Sequence, residues 1–567
     1  MRKRLAWWLA AVSLAVGACG SPEAAPPLWN QRAQAGLVAF ESCEQVLREL
    51  REAYATVPTR GAITEGEVGA APPDGKAAVP QAPAGAERGG GADSADSAEP
   101  APGHSTTNNH EQGVAEPDLV QTDGRRVVTV ADGTLRVIDV ANRRTTSRVW
   151  LPGGAGEELL LFGDRALVVG QGTSITLVEL SGQARVLGTL RIEGGYVDAR
   201  MAGGRARVVV SSTPRLPVPP GEPAFDAATV DDWLPSYELT TPQGSRSGRL
   251  VDCDRVSHPD TYTATSFLTV LTFDLTAPLG TGDPVTVAAD GGTVYGTARS
   301  LYLAHETGYR TEIHRFDLTG AGPAEHVASA AVEGTLLSQY AMSEHDGHLR
   351  VATTRRSDNV VTVLAASGST LTKVGSLAGL GRNEQIYAVR FFGTTGYVVT
   401  FRRTDPLYTL DLTDPTDPEV VGELKITGYS AYLHRASDGK LLGVGQEADE
   451  LGRTTGLQVS LFDVTDAARP RKVAEHELVG GRAQVESQTH AFLYWEPTGL
   501  LVLPTDTDAL VLRLAGHRFT DLGTIGRGLP VRRALVVGDE VWVVSTSGIG
   551  VHDEKTLAEL AWLPFEA

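Results

Sequence analysis

Polar and ionisable side chains recur at the start of repeated strand pairs in the second half of this chain. They combine imidazole, guanidinium, carboxyl and amide groups, which are the types that bind a small solute, a metal ion or the end of a peptide. The residues are Gln339, Glu384, Arg390, His434 and His490, with Tyr432 and Glu486 beside them. A water-filled channel held by salt bridges uses the same groups, since buried charges are almost always paired. The residue types alone leave both interpretations open.

Common catalytic motifs are absent from the sequence. There is no Gly-x-Ser-x-Gly nucleophile turn, no His-Glu-x-x-His zinc motif, no phosphate-binding P-loop and no EF-hand pattern. The formal net charge of −19 argues against nucleic acid as a partner. We therefore predict no catalytic residue, no metal site and no cofactor, and the question of enzymatic activity stays open.

The candidate residues belong to a repeat that begins near Asp118. Each unit has two apolar strands, such as Leu500–Pro504 and Ala509–Leu514, followed by an outer strand such as Val420–Ile426. Nine units can be counted between residues 117 and 564, with about 44 residues each once one insertion is set aside, a length typical of a four-stranded propeller blade. The sequence predicts an all-β fold, a β-propeller of eight or nine four-stranded antiparallel blades with a short N-terminal helix. The first strand of each blade would line the central channel.

Several segments of the chain resemble one known family. Residues 107–124 read Thr-Asn-Asn-His-Glu-Gln-Gly-Val-Ala-Glu-Pro-Asp-Leu-Val-Gln-Thr-Asp-Gly, which resembles secreted proteins with a C-terminal β-propeller domain, distant relatives of the WD-repeat propellers. Residues 387–428 are similar to the same family. The resemblance implies a propeller but no particular activity. We interpret three acidic residues of the first segment as closure or turn residues: Glu116, Asp118 and Asp123.

The N-terminus has the pattern of an export signal. Three basic residues, 2–4, precede an apolar run from Leu5 to Ala18 that is too short to cross a bilayer. The run ends in Val16-Gly17-Ala18-Cys19, which resembles the lipobox of bacterial lipoproteins. The resemblance implies that residues 1–18 are removed and that Cys19 carries lipid, with an ordinary cleaved signal as the alternative. We expect an exported protein, lipid-anchored to the outer face of a bacterial membrane in the cell envelope.

Composition divides the rest of the chain into segments. Residues 19–30 form a lipid-proximal segment, and residues 31–57 show the three- and four-residue apolar spacing of a helix that would dock on the propeller. Residues 58–113 are rich in Ala, Gly, Pro and Ser, which predicts a disordered tether. The propeller would then occupy residues 114–567, with an insertion at 214–265.

Two cysteines remain once Cys19 is assigned to lipid. In an oxidising compartment Cys43 and Cys253 are best explained as one disulfide that attaches the N-terminal helix to the propeller, with two separate buried thiols as the alternative. The insertion that contains Cys253 either serves recognition, as long loops on rigid scaffolds often do, or only docks the helix. The two roles are compatible.

Two functions from different classes fit these observations. The first is a lipid-anchored extracytoplasmic β-propeller that binds a protein or a small ligand, as a binding or scaffold module of the cell envelope. The second is an envelope hydrolase or lyase with its site at the mouth of the propeller channel, because a fold alone does not determine a function. The partners we expect are the membrane, through Cys19, and an envelope protein or small ligand.

Overall fold

The computed structural model describes residues 36–56 and 103–565, apart from short internal gaps. The gaps are residues 155, 171, 217–222, 260–261, 263, 402–404, 438 and 450–452. The predicted signal peptide, Cys19 and segment 19–30 lie outside the described residues, as does most of the predicted tether. None of the helices in the described parts of the chain is long and apolar enough to cross a membrane.

Nearly all of the regular structure is antiparallel β-sheet, arranged in consecutive four-stranded meanders. The first described elements are β1 (Leu37–Ala39) and α1 (Cys43–Ala55). The first meander contains β2 (Val120–Thr122), β3 (Arg126–Ala131), β4 (Thr134–Asp139) and β5 (Arg144–Trp150). The second contains β6 (Glu158–Phe162), β7 (Arg165–Gly170), β8 (Ser174–Glu179) and β9 (Arg185–Ile192).

The third meander is interrupted by the insertion. It starts with β10 (Gly195–Ala202) and β11 (Arg205–Ser212). The insertion then contributes α2 (Pro223–Asp226), α3 (Val230–Trp233), β12 (Ser236–Thr241), β13 (Gly244–Arg249) and β14 (Val256–Pro259). The meander is completed by β15 (Phe267–Asp274) and β16 (Val285–Val287).

Two further meanders follow and are joined into one sheet by a single bridge between Ser329 and Thr370. The fourth contains β17 (Thr293–Gly296), β18 (Ser300–Thr307), β19 (Arg310–Asp317) and β20 (Glu325–Glu333). The fifth contains β21 (Met342–His345), β22 (His348–Thr354), β23 (Asn359–Ser367) and β24 (Thr370–Leu380).

The last four meanders are separate four-stranded sheets. The sixth contains β25 (Gln385–Phe392), β26 (Thr395–Phe401), β27 (Asp405–Asp411) and β28 (Glu419–Ile426). The seventh contains β29 (Tyr429–Ser437), β30 (Lys440–Ala448), β31 (Thr454–Asp463) and β32 (Arg471–Val479). The eighth contains β33 (Leu493–Trp495), β34 (Leu500–Pro504), β35 (Ala509–Ala515) and β36 (Arg518–Ile525). The ninth contains β37 (Val531–Val537), β38 (Glu540–Ser545), β39 (Gly548–Asp553) and β40 (Glu559–Pro564).

The position of a strand within its meander explains its residue pattern. The second strand of a meander is buried on both faces, so that β34 is apolar at every position. The fourth strand is the outer one, and β32 is mostly exposed and carries charged residues along its length. The predicted all-β fold of four-stranded antiparallel sheets is confirmed in these elements.

A buried apolar cluster lies between each meander and the next, and a further cluster joins the last meander to the first. In this last cluster Val120 and Ile138 of the first meander pack with Trp542 and Val551 of the ninth. The meanders therefore form a closed ring. The first strand of every meander lies at the centre of the ring, and the second, third and fourth strands follow in order towards the outside.

The N-terminal helix is shorter than the predicted 31–57. It begins after the N-cap Ser42, whose side chain accepts a hydrogen bond from the Gln45 N–H, and it ends at Ala55. The prediction was wrong at residues 37–39 because a short apolar segment also fits a strand, and here β1 pairs antiparallel with β14. The disulfide between Cys43 and Cys253 is present, with Cα atoms 5.2 Å apart, and it joins α1 to the insertion.

The insertion packs on two meanders at once. Its strand β12 pairs with β9 and extends the second meander, whereas β14 pairs with β16 and extends the third. A buried cluster formed by Val46, Leu50, Trp233 and Phe267 joins α1, the insertion and the third meander. This packing gives the helix a fixed place on the ring.

Residues 103–113 differ from the prediction that they belong to a disordered tether. The backbone N–H of Ser105 donates to the Val536 carbonyl oxygen (2.8 Å), and Gly538 N–H donates to the Gly103 carbonyl oxygen (2.7 Å). The prediction relied on the polar composition of this segment, which is typical of chain that hydrogen-bonds to water. Here the hydrogen-bond partners are ring residues hundreds of positions away in the sequence. We call residues 103–118 the axial segment.

Candidate functional site

The axial segment crosses the centre of the ring and contacts its strands on several sides. Three isolated β-bridges attach it to β37, β10 and β6: His104 with Val537, Ala115 with Met201, and Asp118 with Leu159. Between these points Asn108 donates hydrogen bonds to the Tyr432 hydroxyl (2.7 Å) and the Thr489 carbonyl oxygen (2.9 Å). The centre of the ring is therefore occupied by the chain itself.

Glu116 is the buried hub of an ionic network. Its carboxylate lies 3.1 Å from His490 Nε2 and 3.6 Å from Arg200 Nε, and it also accepts a hydrogen bond from the His110 backbone N–H (3.1 Å). Burial raises the pKa of Glu116, but the charges of Arg200 and His490 outweigh this effect and bring the pKa to about 2. Glu116 is therefore ionised at any physiological pH.

The other members of the network are equally well paired. Asp118 lies 2.6 Å from Arg533 Nε, and Asp198 lies 2.7 Å from Arg200 Nη1. Burial lowers the pKa of His490, but the carboxylates of Glu116 and Asp118 raise it above its ordinary value. We call these six residues the central network: Glu116, Asp118, Asp198, Arg200, His490 and Arg533. It joins the axial segment to the third and ninth meanders.

Arg390 occupies an aromatic environment beside this network. Its guanidinium carbon lies 3.3 Å from the ring centroid of Tyr340 and 5.0 Å from that of Tyr432, and its Nε donates to the Leu433 carbonyl oxygen. Among the described residues, no carboxylate lies within 4.0 Å of this buried guanidinium, and Nη2 has no hydrogen-bond partner. The stacked tyrosine rings supply its electrostatic stabilisation.

The structure brings together most, but not all, of the residues predicted from the sequence. Gln339 accepts a hydrogen bond from Arg200, and His490 belongs to the central network. His434 is buried next to the Tyr432 hydroxyl (3.2 Å), and burial together with the Arg390 charge lowers its pKa to about 3. Glu384 is different, since its carboxylate accepts a hydrogen bond from Thr400 Oγ1 (2.5 Å) rather than contacting the network.

Several residues of the site were not predicted, although the strand register carries a signal for some of them. Arg200, Arg390 and His434 occupy equivalent positions, two residues beyond the first paired residue after the β-bulge of β10, β25 and β29. Arg200 would have been found by aligning the units on their first strands. Arg533 is likewise the first paired residue after the β-bulge of β37, at the place that Asp198 occupies in β10.

An accessible cavity lies outside the centre, where the insertion covers the second meander. Its volume is about 650 Å³, and a neighbouring cavity of about 340 Å³ shares Arg191 and Glu238 with it. We call the larger cavity the insertion groove; it is lined by Arg191, Arg215, Tyr237, Arg246 and Arg249, among others. Arg249 pairs with Asp231 at 2.8 Å, whereas no described carboxylate lies within 4.0 Å of the exposed Arg246.

The closed ring of four-stranded meanders around a central axis defines a β-propeller. The chain belongs to the Beta propeller domain family, which matches residues 104–557. This range starts within the axial segment and therefore includes the central network.

The chain is similar to two uncharacterised archaeal proteins. One, from Methanocaldococcus jannaschii, is 36% identical over 244 residues, which are 42% of this chain and 38% of that protein. The other, from Archaeoglobus fulgidus, is 34% identical over 258 residues, which are 45% of this chain and 39% of that protein. The chain thus spans about two fifths of the length of these relatives. Among solved structures, the computationally designed Ika8 protein matches with a TM-score of 0.38 and 10% identity, covering 69% of this chain and 93% of that chain.

Proposed function

We propose that this protein is a binding and scaffold module of the bacterial cell envelope, exported and held to the membrane by lipid at Cys19. In this proposal each meander is one blade, so that the propeller has nine blades. The surface that recognises the partner is the insertion groove, and the partner is an envelope protein that presents an extended acidic segment.

The observation that carries this proposal is the occupied centre of the ring. The axial segment fills the place where a small ligand would otherwise enter, and the carboxylates of Glu116 and Asp118 are already paired with buried cations. Buried charges that are already paired with one another stabilise the fold rather than bind a ligand. The insertion groove, in contrast, is accessible and lies on a rigid scaffold, where recognition usually occurs.

The groove also has the chemistry to bind an extended acidic chain. Strand β13 is the free edge of its six-stranded sheet and is exposed over most of its length. An edge strand offers unpaired backbone N–H and C=O groups to an added strand. Arg246 on this strand supplies a positive charge without an ion-pair partner among the described residues, which favours a carboxylate on the incoming segment.

The test of the groove uses a photo-crosslinking residue at Ser247, on the exposed face of β13, in cells that express the full chain. The matched control places the same residue at Thr520, which is exposed on the outer strand β36 of another meander. We expect one protein to be captured at position 247 and not at 520. Its capture should be lost in Arg246→Glu and retained in Arg518→Glu. Equal capture at both positions would rule out the groove as the recognition surface.

The lipid anchor is supported by the export signal and by the disulfide, which belongs to an oxidising compartment. The mass of the protein from the membrane fraction should exceed that of the chain from Cys19 by a lipid adduct on its first residue. Cys19→Ser should move the protein to the soluble fraction. An unmodified Cys19 in the membrane fraction would contradict the anchor.

A second candidate function, an envelope hydrolase or lyase, is favoured by one observation. Burial raises the pKa of Glu111 to about 7, and this carboxyl accepts a hydrogen bond from Tyr295 (2.7 Å) and lies 3.7 Å from His110 Nε2. A carboxyl that titrates near neutrality beside a histidine is suited to general acid–base chemistry. A deletion strain complemented by Glu111→Gln should grow normally if the protein is a scaffold, and should keep its defect if Glu111 is catalytic.

A further inference from the structure

A second group of ionisable residues lies away from the central network, on the hairpin formed by β18 and β19. His305 on β18 is directly opposite Glu312 on β19, and His314 is two residues further along the same face of β19. One ring nitrogen of each histidine and one carboxylate oxygen of Glu312 all lie within 4.8 Å of one another. The hairpin register alone therefore assembles two imidazoles and a carboxylate.

A neighbouring strand orients His314. The Nδ1 atom of His314 lies 2.8 Å from the hydroxyl of Ser329 on β20, and Nε2 of His326 lies 2.8 Å from the same hydroxyl. The hydrogen bond at Nδ1 fixes the orientation of the His314 ring. The other ring nitrogen, Nε2, then points to the opposite side, where it can bind a metal ion. Ligand histidines in metal sites are usually held in this way by a second partner.

Two buried nitrogens of this cluster have no hydrogen-bond partner among the described residues. They are Nε2 of His314, a residue that is 1% exposed, and Nδ1 of His305, which is 7% exposed. Buried polar atoms nearly always have a partner, and exceptions call for an explanation such as a bound ion.

The cluster is largely buried, but part of it remains accessible to solvent. A Cβ atom at Gly291 would lie 2.6 Å from the Cβ of His305, so the segment before β17 packs closely against β18 at this residue. Glu312 stays partly exposed, and the hairpin tip at Gly308 is open to solvent.

We propose that His305, Glu312 and His314 bind one Zn²⁺ ion. Two imidazoles and one carboxylate are a common set of protein ligands for this ion, and water would fill the remaining position. The ion would join β18 to β19 near the tip of their hairpin. It supplies the partner that Nε2 of His314 lacks, and Nε2 of His305 lies 3.5 Å from the Glu312 carboxylate.

The test measures metal binding to the full chain by calorimetry with Zn²⁺ and by visible absorption with Co²⁺, after dialysis against EDTA. Every sample carries Cys19→Ser, so that no free thiol competes for the ion. We expect one saturable site and the absorption bands of Co²⁺ in a site of low coordination number. His305→Ala and Glu312→Gln should each weaken Zn²⁺ binding by about a hundredfold or more, and Ser329→Ala by about tenfold. The control His517→Ala, on the exposed tip of another hairpin, should bind as the parent does.

Glu312→Gln decides the outcome if a histidine variant fails to fold, because it keeps the shape of the side chain and removes only its charge. Circular dichroism identifies a folded variant. The proposal is overturned if the parent shows no saturable site, or if folded Glu312→Gln and His305→Ala bind Zn²⁺ as tightly as the His517→Ala control.

Discussion

Glu116 shows most directly how single residues hold the centre of this protein together. Its carboxylate contacts both Arg200 and His490, and all three side chains are buried. Glu116→Gln would remove one counter-charge from each of these two groups in a low-dielectric site, and would leave Arg200 with Asp198 (2.7 Å) and His490 with Asp118 (3.9 Å). We expect a loss of about 2–4 kcal/mol in the free energy of unfolding, measured by urea denaturation.

A control for this variant comes from the sequence itself. Glu384 was also predicted to face the channel, but its carboxylate contacts Thr400 and is only partly buried. Glu384→Gln should therefore cost no more than about 1 kcal/mol. Losses of equal size in the two variants would show that Glu116 is not the hub of a buried network.

The burial of His434 lets us predict how the stability of the protein changes with pH. Burial lowers its pKa in the folded protein to about 3, from an ordinary value of 6.5. The unfolded chain therefore takes up a proton below about pH 6.5 while the folded protein does not, and stability falls as the pH decreases from 6.5 towards 3. The slope from this residue is at most about 1.4 kcal/mol per pH unit.

His434→Phe should remove this contribution while it keeps an aromatic ring against Phe492. Urea unfolding midpoints at pH 7.5, 6.0 and 5.0 should then decrease less steeply than in the parent protein. His517→Phe, on an exposed hairpin tip, is the control and should keep the parental slope. A parental slope in His434→Phe as well would contradict the assignment.

At the level of elements, the disulfide determines whether α1 stays on the ring. Val46 and Leu50 of this helix are fully buried, and Leu47 and Tyr54 are partly buried against the same cluster, so the disulfide reinforces a small packed interface. Cys43→Ser combined with Cys253→Ser should lower the free energy of unfolding by about 2–5 kcal/mol. Hydrogen exchange should show lost protection in residues 43–55, with ring strands such as β34 unchanged.

The helix cap gives a milder perturbation of the same element. Ser42→Ala removes the N-cap hydrogen bond and should cost about 1 kcal/mol, with the disulfide still holding the helix. If the double cysteine variant changes exchange no more than Ser42→Ala does, packing rather than the disulfide attaches the helix.

The strands could be predicted because their signal is local. Leu500–Pro504 was predicted and is observed with the same bounds, since an apolar strand between Gly and Asp turns has few alternatives. Asp274, at the end of β15, is also explained locally: its carboxylate accepts hydrogen bonds from the backbone N–H and the hydroxyl of Thr276, as a turn residue does. The start of α1 could not be predicted from the sequence because the three apolar residues 37–39 fit both the helical and the strand spacing.

The site could be predicted only in part because its contacts are not local. Asn108 and Tyr432 are 324 positions apart, and Glu116 and His490 are 374 apart, so no sequence window contains both partners. The cluster of His305, Glu312 and His314 was missed for another reason. Its ligands are brought together by the register of one hairpin, which matches no known metal motif and led to the expectation of no metal site.

For the molecule as a whole, we expect unfolding to be cooperative because the ring is closed. Every meander shares an apolar cluster with both neighbours, and the axial segment adds contacts across the centre. A gap opened at one interface therefore exposes apolar surface on two meanders and weakens the attachment of the axial segment. We expect the ring to unfold as one unit, with the insertion and α1 as a separate region of lower stability.

Two buried tryptophans test this expectation. Trp542 lies in the cluster that joins the ninth meander to the first, and Trp233 lies in the cluster that joins the insertion to α1. Both are almost fully buried, at 0% and 1% exposure, so each replacement by alanine creates a cavity of similar size. Trp542→Ala should cost about 3–5 kcal/mol in global unfolding and raise hydrogen exchange in all nine meanders, including those on the far side of the ring. Trp233→Ala should raise exchange in α1 and the insertion and leave the meanders protected. If Trp542→Ala raises exchange only in the first and ninth meanders, the interfaces open independently and the ring is not one cooperative unit.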